Sequence, residues 1–435
     1  MMDTKPGSID NLLIESLAYG GNGLGHYKGK VVFVPYTAPG DRVQCRVVRQ
    51  KKRYVEARAE RLIAPSEYRR PAVCPVFGQC GGCQWQHLSY EDQCAWKERI
   101  FQDFLVRKVG MDPAGIRPMV PSAKEWGYRS RVQFKCLNTP EGFQVGFYRR
   151  GSHYVIPVEH CPVIHPSLNQ AKEQLRSWIG NTRWAGTVPQ IDLAVDDQER
   201  VRCVVHCLAQ DVERFVDHLK ALAASSDMAV FVQTGRKNSL RHVCGSLELI
   251  IEVDTPRLRL GYGPGGFAQI NLAQNRAMVQ EVIRALVSDP PTRVLDLFCG
   301  MGNFSLPVAR LAQEVIGVEA YQQSIEMARL NARLNGMDNV RFFTRESYGA
   351  ATIYSQNEPV DLVILDPPRS GAYDVARELV SVRPGRLLYI SCDPPTLVRD
   401  LQPLVNNGYQ PVWSRPFDLF PHTHHTESIT MLKRE

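Results

Sequence analysis

The sequence predicts a multidomain α/β protein in which a small β-barrel, a mixed α+β region and a doubly wound parallel sheet follow one another along the chain. Its 435 residues amount to about three typical domains. Short apolar runs separated by glycines and prolines fill the first 66 residues. From about residue 292, strand-like runs alternate with helical patterns, which is typical of parallel strands joined by crossover helices.

Composition excludes several classes of protein. With 44% hydrophobic and 22% charged residues the chain is not disordered. Charged residues interrupt every apolar run before the ~18 residues that span a bilayer, and the N-terminus lacks a basic stretch followed by an apolar one. We therefore expect a cytoplasmic protein with no membrane partner. Its twelve cysteines are expected to be metal ligands, nucleophiles or core residues rather than disulfides.

Residues 1–66 are predicted to form an OB-like β-barrel. The runs KVVFVPY, RVQCRVV and YVEARAERL have strand character, and Gly20, Gly21 and Pro39-Gly40 supply turns between strands. Basic side chains crowd the end of this region: Arg42, Arg46, Arg49, Lys51, Lys52, Arg53 and Arg58. Small barrels with charged loops commonly bind single-stranded nucleic acid, so we expect that role. The alternative is a barrel that only adds stability.

Residues 67–260 are predicted to form an α+β domain with a cysteine group at its start. The stretch CPVFGQCGGCQWQH contains Cys74, Cys80 and Cys83, and a fourth candidate, Cys161, lies in EHCPVIHP. One compact group with a distant Cys-Pro suits a [4Fe–4S] cluster better than zinc, although spacing alone proves neither metal. Four unrelated core cysteines are a further alternative. The helical stripe at 91–109 is a candidate for packing on the next domain.

Residues 261–435 carry the predicted doubly wound sheet, in which ligands bind beyond the carboxyl ends of the strands. The turn DLFCGMGNF allows close backbone approach at Gly300 and Gly302, and Glu319 ends the next strand, where it can accept both ribose hydroxyls. A dinucleotide site is the alternative, but Ser305 replaces the third glycine. Asp296 suits the amino group of S-adenosylmethionine better than a pyrophosphate. Together with Asp366-Pro367-Pro368, the pattern predicts a methyl-donor site.

A nucleophile and a base are predicted near the same edge of the sheet. Cys392 follows a strand in ISCDPP, and Glu427 follows the histidine-rich segment FDLFPHTHHT. A thiol nucleophile, a carboxylate base and a methyl donor form a chemically complete set. The alternatives are a buried structural cysteine and a histidine metal site, although these histidines lack a clean ligand spacing.

These motifs together resemble the RNA 5-methyluridine (uracil-5-) methyltransferases that carry a TRAM domain and an iron–sulfur cluster, most of all those acting on 23S ribosomal RNA. The resemblance covers nearly the whole chain. It rests on Cx5CGGCxWQH at 74–87, Tyr128-Arg129-Ser130-Arg131, GGFAQIN at 265–271, DLFCGMGNFSLPVA at 296–309, DPPRSG at 366–371, YISCDPPT at 389–396 and DLFPHTHHTE at 418–427.

The resemblance implies a role for each matched site residue. The cluster ligands would be Cys74, Cys80, Cys83 and Cys161. The S-adenosyl-L-methionine site in a Rossmann-like domain would be lined by Gln269, Phe298, Asn303, Glu319 and Asp366. Cys392 would add to C6 of uridine, and Glu427 would remove the C5 proton. Because a free thiol is mostly protonated, we expect basic surroundings to lower the pKa of Cys392.

The resemblance also implies RNA as the partner of a monomeric enzyme. Ribosomal RNA is the favoured target, and transfer RNA or a non-catalytic RNA-binding or chaperone role are the alternatives. Three positions depart from the family pattern: Asp393 replaces Asn, Thr426 replaces an apolar residue, and Glu346-Ser347 replaces the usual Asp or Asn. The last departure leaves the adenine contact unassigned.

Overall fold

The computed structural model describes residues 7–224, 226–235, 239–254, 256–356 and 358–435. The first six residues of the predicted barrel therefore lie outside the described part. Within it, three large sheets follow the chain in the predicted order.

The N-terminal region is a six-stranded barrel with strand order β1-β5-β6-β4-β3-β2. The barrel closes just after β1, where the backbone N–H of Glu15 donates a hydrogen bond to the carbonyl of Leu24 in β3 at 2.8 Å. Alternate side chains point inward, among them Val32, Val34 and Val43. The strands are β1 (Ser8–Leu13), β2 (Ser16–Leu17), β3 (Asn22–Tyr27), β4 (Lys30–Pro35), β5 (Arg42–Gln50) and β6 (Tyr54–Ala64).

The middle region is a seven-stranded sheet, β13-β12-β11-β10-β7-β8-β9, with two helices on one face. Residues at every second position, such as Val132, Phe134 and Cys136, form the core beneath those helices. The opposite, open face has a groove lined by polar side chains such as Arg131 and Gln133, and it carries a small apolar cluster of Val204, Ala229 and Phe231. The strands are β7 (Arg131–Thr139), β8 (Gly142–Tyr148), β9 (Val155–Pro157), β10 (Gln190–Val195), β11 (Val201–His206), β12 (Ala229–Gln233) and β13 (Leu240–Cys244), and the helices are α2 (Pro166–Gly180) and α3 (Val212–Ala223).

The C-terminal region is a seven-stranded sheet with buried apolar side chains on both faces. Its strands are β16 (Arg293–Leu297), β17 (Glu314–Glu319), β18 (Val340–Thr344), β19 (Leu362–Leu365), β20 (Arg386–Ser391), β21 (Tyr409–Phe417) and β22 (Glu427–Arg434). Its helices are α4 (Leu272–Val287), α5 (Ser305–Ala309), α6 (Gln322–Leu334), α7 (Ala350–Tyr354), α8 (Tyr373–Val382) and α9 (Pro394–Val405).

The strand order β18-β17-β16-β19-β20-β22-β21 corrects the prediction of a wholly parallel sheet. Strands β16 to β20 are parallel, but β22 runs antiparallel to both of its neighbours. The reason is the connection: only residues 418–426 separate β21 from β22, which is too short for a crossover helix.

Two segments that precede residue 261 pack against this C-terminal sheet. Helix α1 (Tyr90–Phe104) continues as a π-helical turn to Val109, and its side chains Phe101 and Leu105 share a core with Leu295 and Leu365. The hairpin of β14 (Leu249–Glu252) and β15 (Arg259–Tyr262) packs into the core on the other face. None of the helices in the described ranges is both long enough and apolar enough to cross a membrane.

A buried ion pair fixes α1 to the loop at 418–426. The Lys97 ammonium lies 2.6 Å from the Asp418 carboxylate, and both side chains are 0% exposed. Lys97 also donates to the Phe420 carbonyl at 3.0 Å. Removing one member leaves the other charge buried without a partner, so breaking the pair lowers the free energy of unfolding.

We expect Lys97→Met to lower the free energy of unfolding of the C-terminal region by about 3–5 kcal/mol, since Asp418 is left buried and unpaired. Urea denaturation followed by tryptophan fluorescence measures this. The matched control is Arg107→Ala, which removes an exposed ion pair with Asp103 and should cost less than about 1 kcal/mol. Equal losses in the two variants would contradict the prediction.

Candidate active site and cysteine cavity

Strand pairing brings Cys392 and Glu427 side by side. Ser391 at the end of β20 pairs with Ser428 near the start of β22, so the next positions outward are Cys392 and Glu427. Glu427 is 4% exposed. The sequence predicted both residues, and the antiparallel register explains why two residues from different segments meet.

The electrostatics of this pair favour the protonated forms. Burial and the neighbouring Glu427 raise the pKa of Cys392 to about 12, with Asp366 and Asp393 adding to the effect. Burial raises the pKa of Glu427 to about 8. Arg369 opposes both shifts. The expectation of a lowered thiol pKa is therefore wrong for the free protein, because the thiol is buried among carboxylates.

The turn after Cys392 is fixed by the start of α9. Asp393 caps this helix, its Oδ2 accepting the backbone N–H of Thr396 at 3.1 Å. Its Oδ1 accepts a hydrogen bond from the hydroxyl of Tyr19, which belongs to the barrel. The turn after Cys392 thus contacts a residue 374 positions away in the sequence.

The loop before Glu427 is ordered by hydrogen bonds to α1. The backbone N–H of His422 donates to Gln93 Oε1 at 2.7 Å, and Gln93 Nε2 lies 3.1 Å from His422 Nδ1. The other ring nitrogen of His422 lies 3.0 Å from the Glu125 carbonyl, and Trp126 stacks on the ring at 3.7 Å. Burial lowers the pKa of His422 to about 3. Since protein groups occupy both nitrogens, this neutral histidine is a structural part of the loop.

Four of the five predicted donor-site residues lie at or after the carboxyl ends of β16, β17 and β19. Phe298 follows β16 in a left-handed conformation with φ 65°, and Glu319 ends β17. Asp366 follows β19. Asn303 exchanges two side-chain hydrogen bonds with Asn275 of α4, at 2.8 and 2.9 Å. Gln269 is 8% exposed, in the segment before α4.

Within the described part of the chain, no basic side chain lowers the pKa of Asp296 or of Asp366. Burial raises the pKa of Asp296 and of Asp366 to about 7, and Glu319 adds to both shifts. One oxygen of Asp296 accepts from the Ser305 hydroxyl, whereas its buried Oδ1 has no hydrogen-bond partner. A group of carboxylates that disfavour one another's charge suits a ligand that brings a positive charge.

The four predicted cluster cysteines, Cys74, Cys80, Cys83 and Cys161, line one cavity. Local hydrogen bonds hold them there: Cys161 donates its N–H to Asn169 Oδ1 at 2.9 Å, and Cys74 donates to Gln86 Oε1 at 3.0 Å. Gly81 donates to the Tyr148 carbonyl at 3.0 Å, and a Cβ at this position would approach the same oxygen to 3.0 Å. Glycine at this position therefore lets the cysteine loop lie against the end of β8.

The cavity wall is apolar except for Gln86 and Arg129, and Arg129 Nε is buried without a hydrogen-bond partner. Within the described ranges, no group of three or more His, Cys, Asp or Glu side chains is arranged to hold a metal ion. The twelve cysteines of the chain are free thiols. Four thiols that line one cavity form a donor set that fits a sulfur-ligated metal group.

Sequence reasoning missed the residues that hold this site together. Lys97, Gln93 and Asp418 fix the loop before Glu427, and Asp400 accepts the Tyr389 hydroxyl at 2.6 Å beneath the DPPRSG segment. One signal was present: Lys97 stands on the helical stripe of Gln93 and Phe101, where an apolar residue is expected.

Comparisons with known proteins define the class of this protein. Residues 116–435 match the family model described as tRNA (Uracil-5-)-methyltransferase, and residues 3–59 match the TRAM domain. The chain belongs to the RNA (uracil-5-)-methyltransferase family and carries an N-terminal TRAM domain. The family resemblance seen in the sequence, and the prediction of an enzyme, are thereby confirmed.

Individual relatives cover nearly the whole chain. A 23S rRNA (uracil(1939)-C(5))-methyltransferase RlmD from Alkalilimnicola ehrlichii is 36% identical, over 98% of this chain and 96% of its own. One of the same name from Acidithiobacillus ferrooxidans is 35% identical, over 98% and 97%. The crystal structure of Pyrococcus abyssi tRNA (uracil-54, C5)-methyltransferase in complex with S-adenosyl-L-homocysteine has a TM-score of 0.74 at 24% identity, covering 97% of this chain and 100% of that one. This last likeness establishes the shared fold.

The raised pKa of Glu427 predicts a pH-dependent stability difference between the wild type and Glu427→Gln. A carboxyl whose pKa is about 8 when folded and about 4.3 when unfolded destabilises the fold increasingly as pH rises between those values. The variant should therefore gain melting temperature relative to the wild type from pH 5 to pH 8, and the gain should level off above pH 8. Thermal melts across this range check it, and a constant difference would contradict the raised pKa.

Proposed function

We propose that this enzyme transfers a methyl group from S-adenosyl-L-methionine to C5 of a uridine in 23S ribosomal RNA. The observation that carries the proposal is that Cys392 and Glu427 stand one position beyond the paired Ser391 and Ser428, at the end of β20 and the start of β22. Relatives named for 23S ribosomal RNA match the chain over their whole length, which favours this target over transfer RNA.

The chemistry follows from the weak nucleophilicity of uracil C5. The Cys392 thiolate adds to C6, and the electron pair of the C5–C6 bond moves to C5, which then forms a bond to the methyl carbon. S-adenosyl-L-methionine supplies the methyl group as a sulfonium and leaves as the neutral thioether. Glu427 removes the C5 proton, and the returning electron pair expels the thiolate.

Residues Gln269, Phe298, Asn303, Glu319 and Asp366 are proposed to hold the donor. The carboxylates at this edge support the assignment because the donor carries a sulfonium and an amino group. A cation beside Asp366 also opposes the carboxylates that raise the pKa of Cys392. The uridine must leave its stack to expose C6, so an unpaired or flipped nucleotide is the proposed substrate.

The open face of the middle sheet and the barrel are proposed to bind the RNA. A groove on that face is lined by Arg129, Arg131 and Arg202 together with Phe267, which is 63% exposed. Guanidinium groups and an exposed aromatic ring suit phosphates and unstacked bases. In the barrel, the exposed Lys51, Lys52 and Arg53 add positive charge.

The [4Fe–4S] cluster is proposed to bind Cys74, Cys80, Cys83 and Cys161 and to shape the loop next to the RNA groove. Arg129 supports this position, because it lines both the cysteine cavity and the groove. We propose the functional division 1–66, 67–260 and 261–435, with α1 and the β14–β15 hairpin packed on the last part. A cytoplasmic monomer is proposed, since ribosomal RNA is a cytoplasmic substrate.

Two variants test the catalytic assignment. Cys392→Ala should abolish methyl transfer and retain donor binding, because only the covalent step is lost. Glu427→Gln should still add to uridine and transfer methyl, but proton removal should slow by roughly 10²–10⁴-fold. A covalent protein–RNA adduct should then accumulate on a denaturing gel. Release of methylated RNA by Glu427→Gln at the wild-type rate would exclude Glu427 as the base.

Metal analysis tests the cluster. Protein purified without oxygen should be brown and contain about four iron atoms per chain, and Cys161→Ala should lose most of this iron. The control is Cys136→Ala, which removes a thiol buried in the core of the middle sheet and should keep the iron. Colourless protein with one zinc ion would favour a Cys₄ zinc site instead.

A further inference from the structure

The barrel reaches the nucleophile turn through one tyrosine. Tyr19 lies in the turn between β2 and β3, and its hydroxyl donates to Asp393, the residue after Cys392. Its ring contacts Phe104 at the end of α1 and His424 in the loop before Glu427, both edge-on with centroids 5.6 Å apart. One side chain of the barrel therefore contacts the turn after Cys392, the end of α1 and the loop before Glu427.

The turn that carries Tyr19 is itself anchored. The Gly21 carbonyl accepts the indole N–H of Trp85 at 3.1 Å, and Trp85 packs with Leu17 of β2 and with Leu88. A Cβ on Gly21 would approach Gln84 to 3.0 Å and His424 to 3.4 Å, so only glycine lets the turn lie this close. Packing of this turn therefore fixes the position of the Tyr19 hydroxyl.

Asp393 needs such a donor. A carboxylate only accepts hydrogen bonds, and its two oxygens take the Thr396 N–H and the Tyr19 hydroxyl. Where the family pattern has Asn, the neutral amide can cap α9 without leaving a charge beside the thiol. In this chain the carboxylate lies next to a thiol that already faces Glu427 and Asp366, with Arg369 as the opposing charge.

We propose that Tyr19 is a positioning residue for the methyl-transfer reaction: by holding Asp393, it fixes the turn of Cys392 and makes the docked barrel part of the catalytic machinery. This inference rests on the proposed role of Cys392. It assigns the barrel a function in the chemical step that is separate from its affinity for RNA.

Single-turnover methylation of an unmodified 23S ribosomal RNA fragment tests the proposal, with RNA affinity measured in parallel by filter binding. Tyr19→Phe should lower the rate constant about tenfold, because a hydrogen bond to a charged group is lost near the nucleophile, and should leave the dissociation constant for RNA within twofold. Tyr68→Phe, at an exposed tyrosine that follows the barrel, is the matched control and should change neither quantity.

Variants at Asp393 test whether the effect of Tyr19→Phe on the rate constant acts through the Asp393 carboxylate. Asp393→Asn should keep most of the rate, since its amide can donate to the Tyr19 oxygen while its carbonyl caps α9. In an Asp393→Ala background, Tyr19→Phe should have no further effect, because the partner is already absent. Full additivity of the two losses would overturn the proposal.

Other outcomes overturn it as clearly. Weaker RNA binding of Tyr19→Phe with an unchanged rate constant would mean that Tyr19 contributes to RNA affinity alone. An unchanged rate constant with unchanged RNA binding would mean that Tyr19 has no role in the reaction. A fall in melting temperature of several degrees in Tyr19→Phe, with a rate loss that persists in the Asp393→Ala background, would indicate a merely structural contact. Failure of the proposed function itself would appear differently, as methyl transfer that survives Cys392→Ala.

Discussion

The buried ion pair between Lys97 and Asp418 is the constraint on which the active site depends. Both charges are removed from water, so neither can leave the other without a large free-energy cost. A pair of this kind specifies one arrangement more than it adds stability. It fixes α1 against the loop at 418–426, and that loop leads directly into Glu427 at the start of β22. The position of the carboxylate is therefore set by a helix outside the methyltransferase sheet.

Helix α1 also connects segments of the N-terminal part of the chain to the loop at 418–426. Gln93 donates to the carbonyls of Trp85 and Leu88 and hydrogen-bonds to His422, so one side chain joins the cysteine segment to the catalytic loop. Trp85 in turn holds the barrel turn at Gly21. The barrel, the cysteine segment and the sheet thus meet around α1, through these buried polar contacts and through apolar side chains such as Leu17, Trp85 and Phe101.

The sequence predicted what depends on local pattern. Period-two and helical spacing located the strands of all three regions and helices such as α2, α3 and α6, and the positions of Cys392 and Glu427 followed from their motifs. It did not predict that β22 runs antiparallel to β20 and β21, because strand direction depends on connections rather than on hydropathy. Nor did it predict the Lys97–Asp418 and Tyr19–Asp393 contacts, whose partners are 321 and 374 residues apart. For the Lys97–Asp418 pair the sequence offered one sign, because Lys97 is a charged residue on a helical stripe that is predicted to be buried.

The charge balance at the edge of the sheet connects these structural features to reactivity. Burial raises the pKa values of Asp296, Asp366 and Glu427, and it also raises the pKa of Cys392, to which the nearby Glu427, Asp366 and Asp393 add. A positive charge at this edge stabilises the carboxylates and the thiolate together, since both shifts have the same cause. The raised pKa of Cys392 disfavours the thiolate in the free protein, and a cation at this edge shifts the balance toward the thiolate.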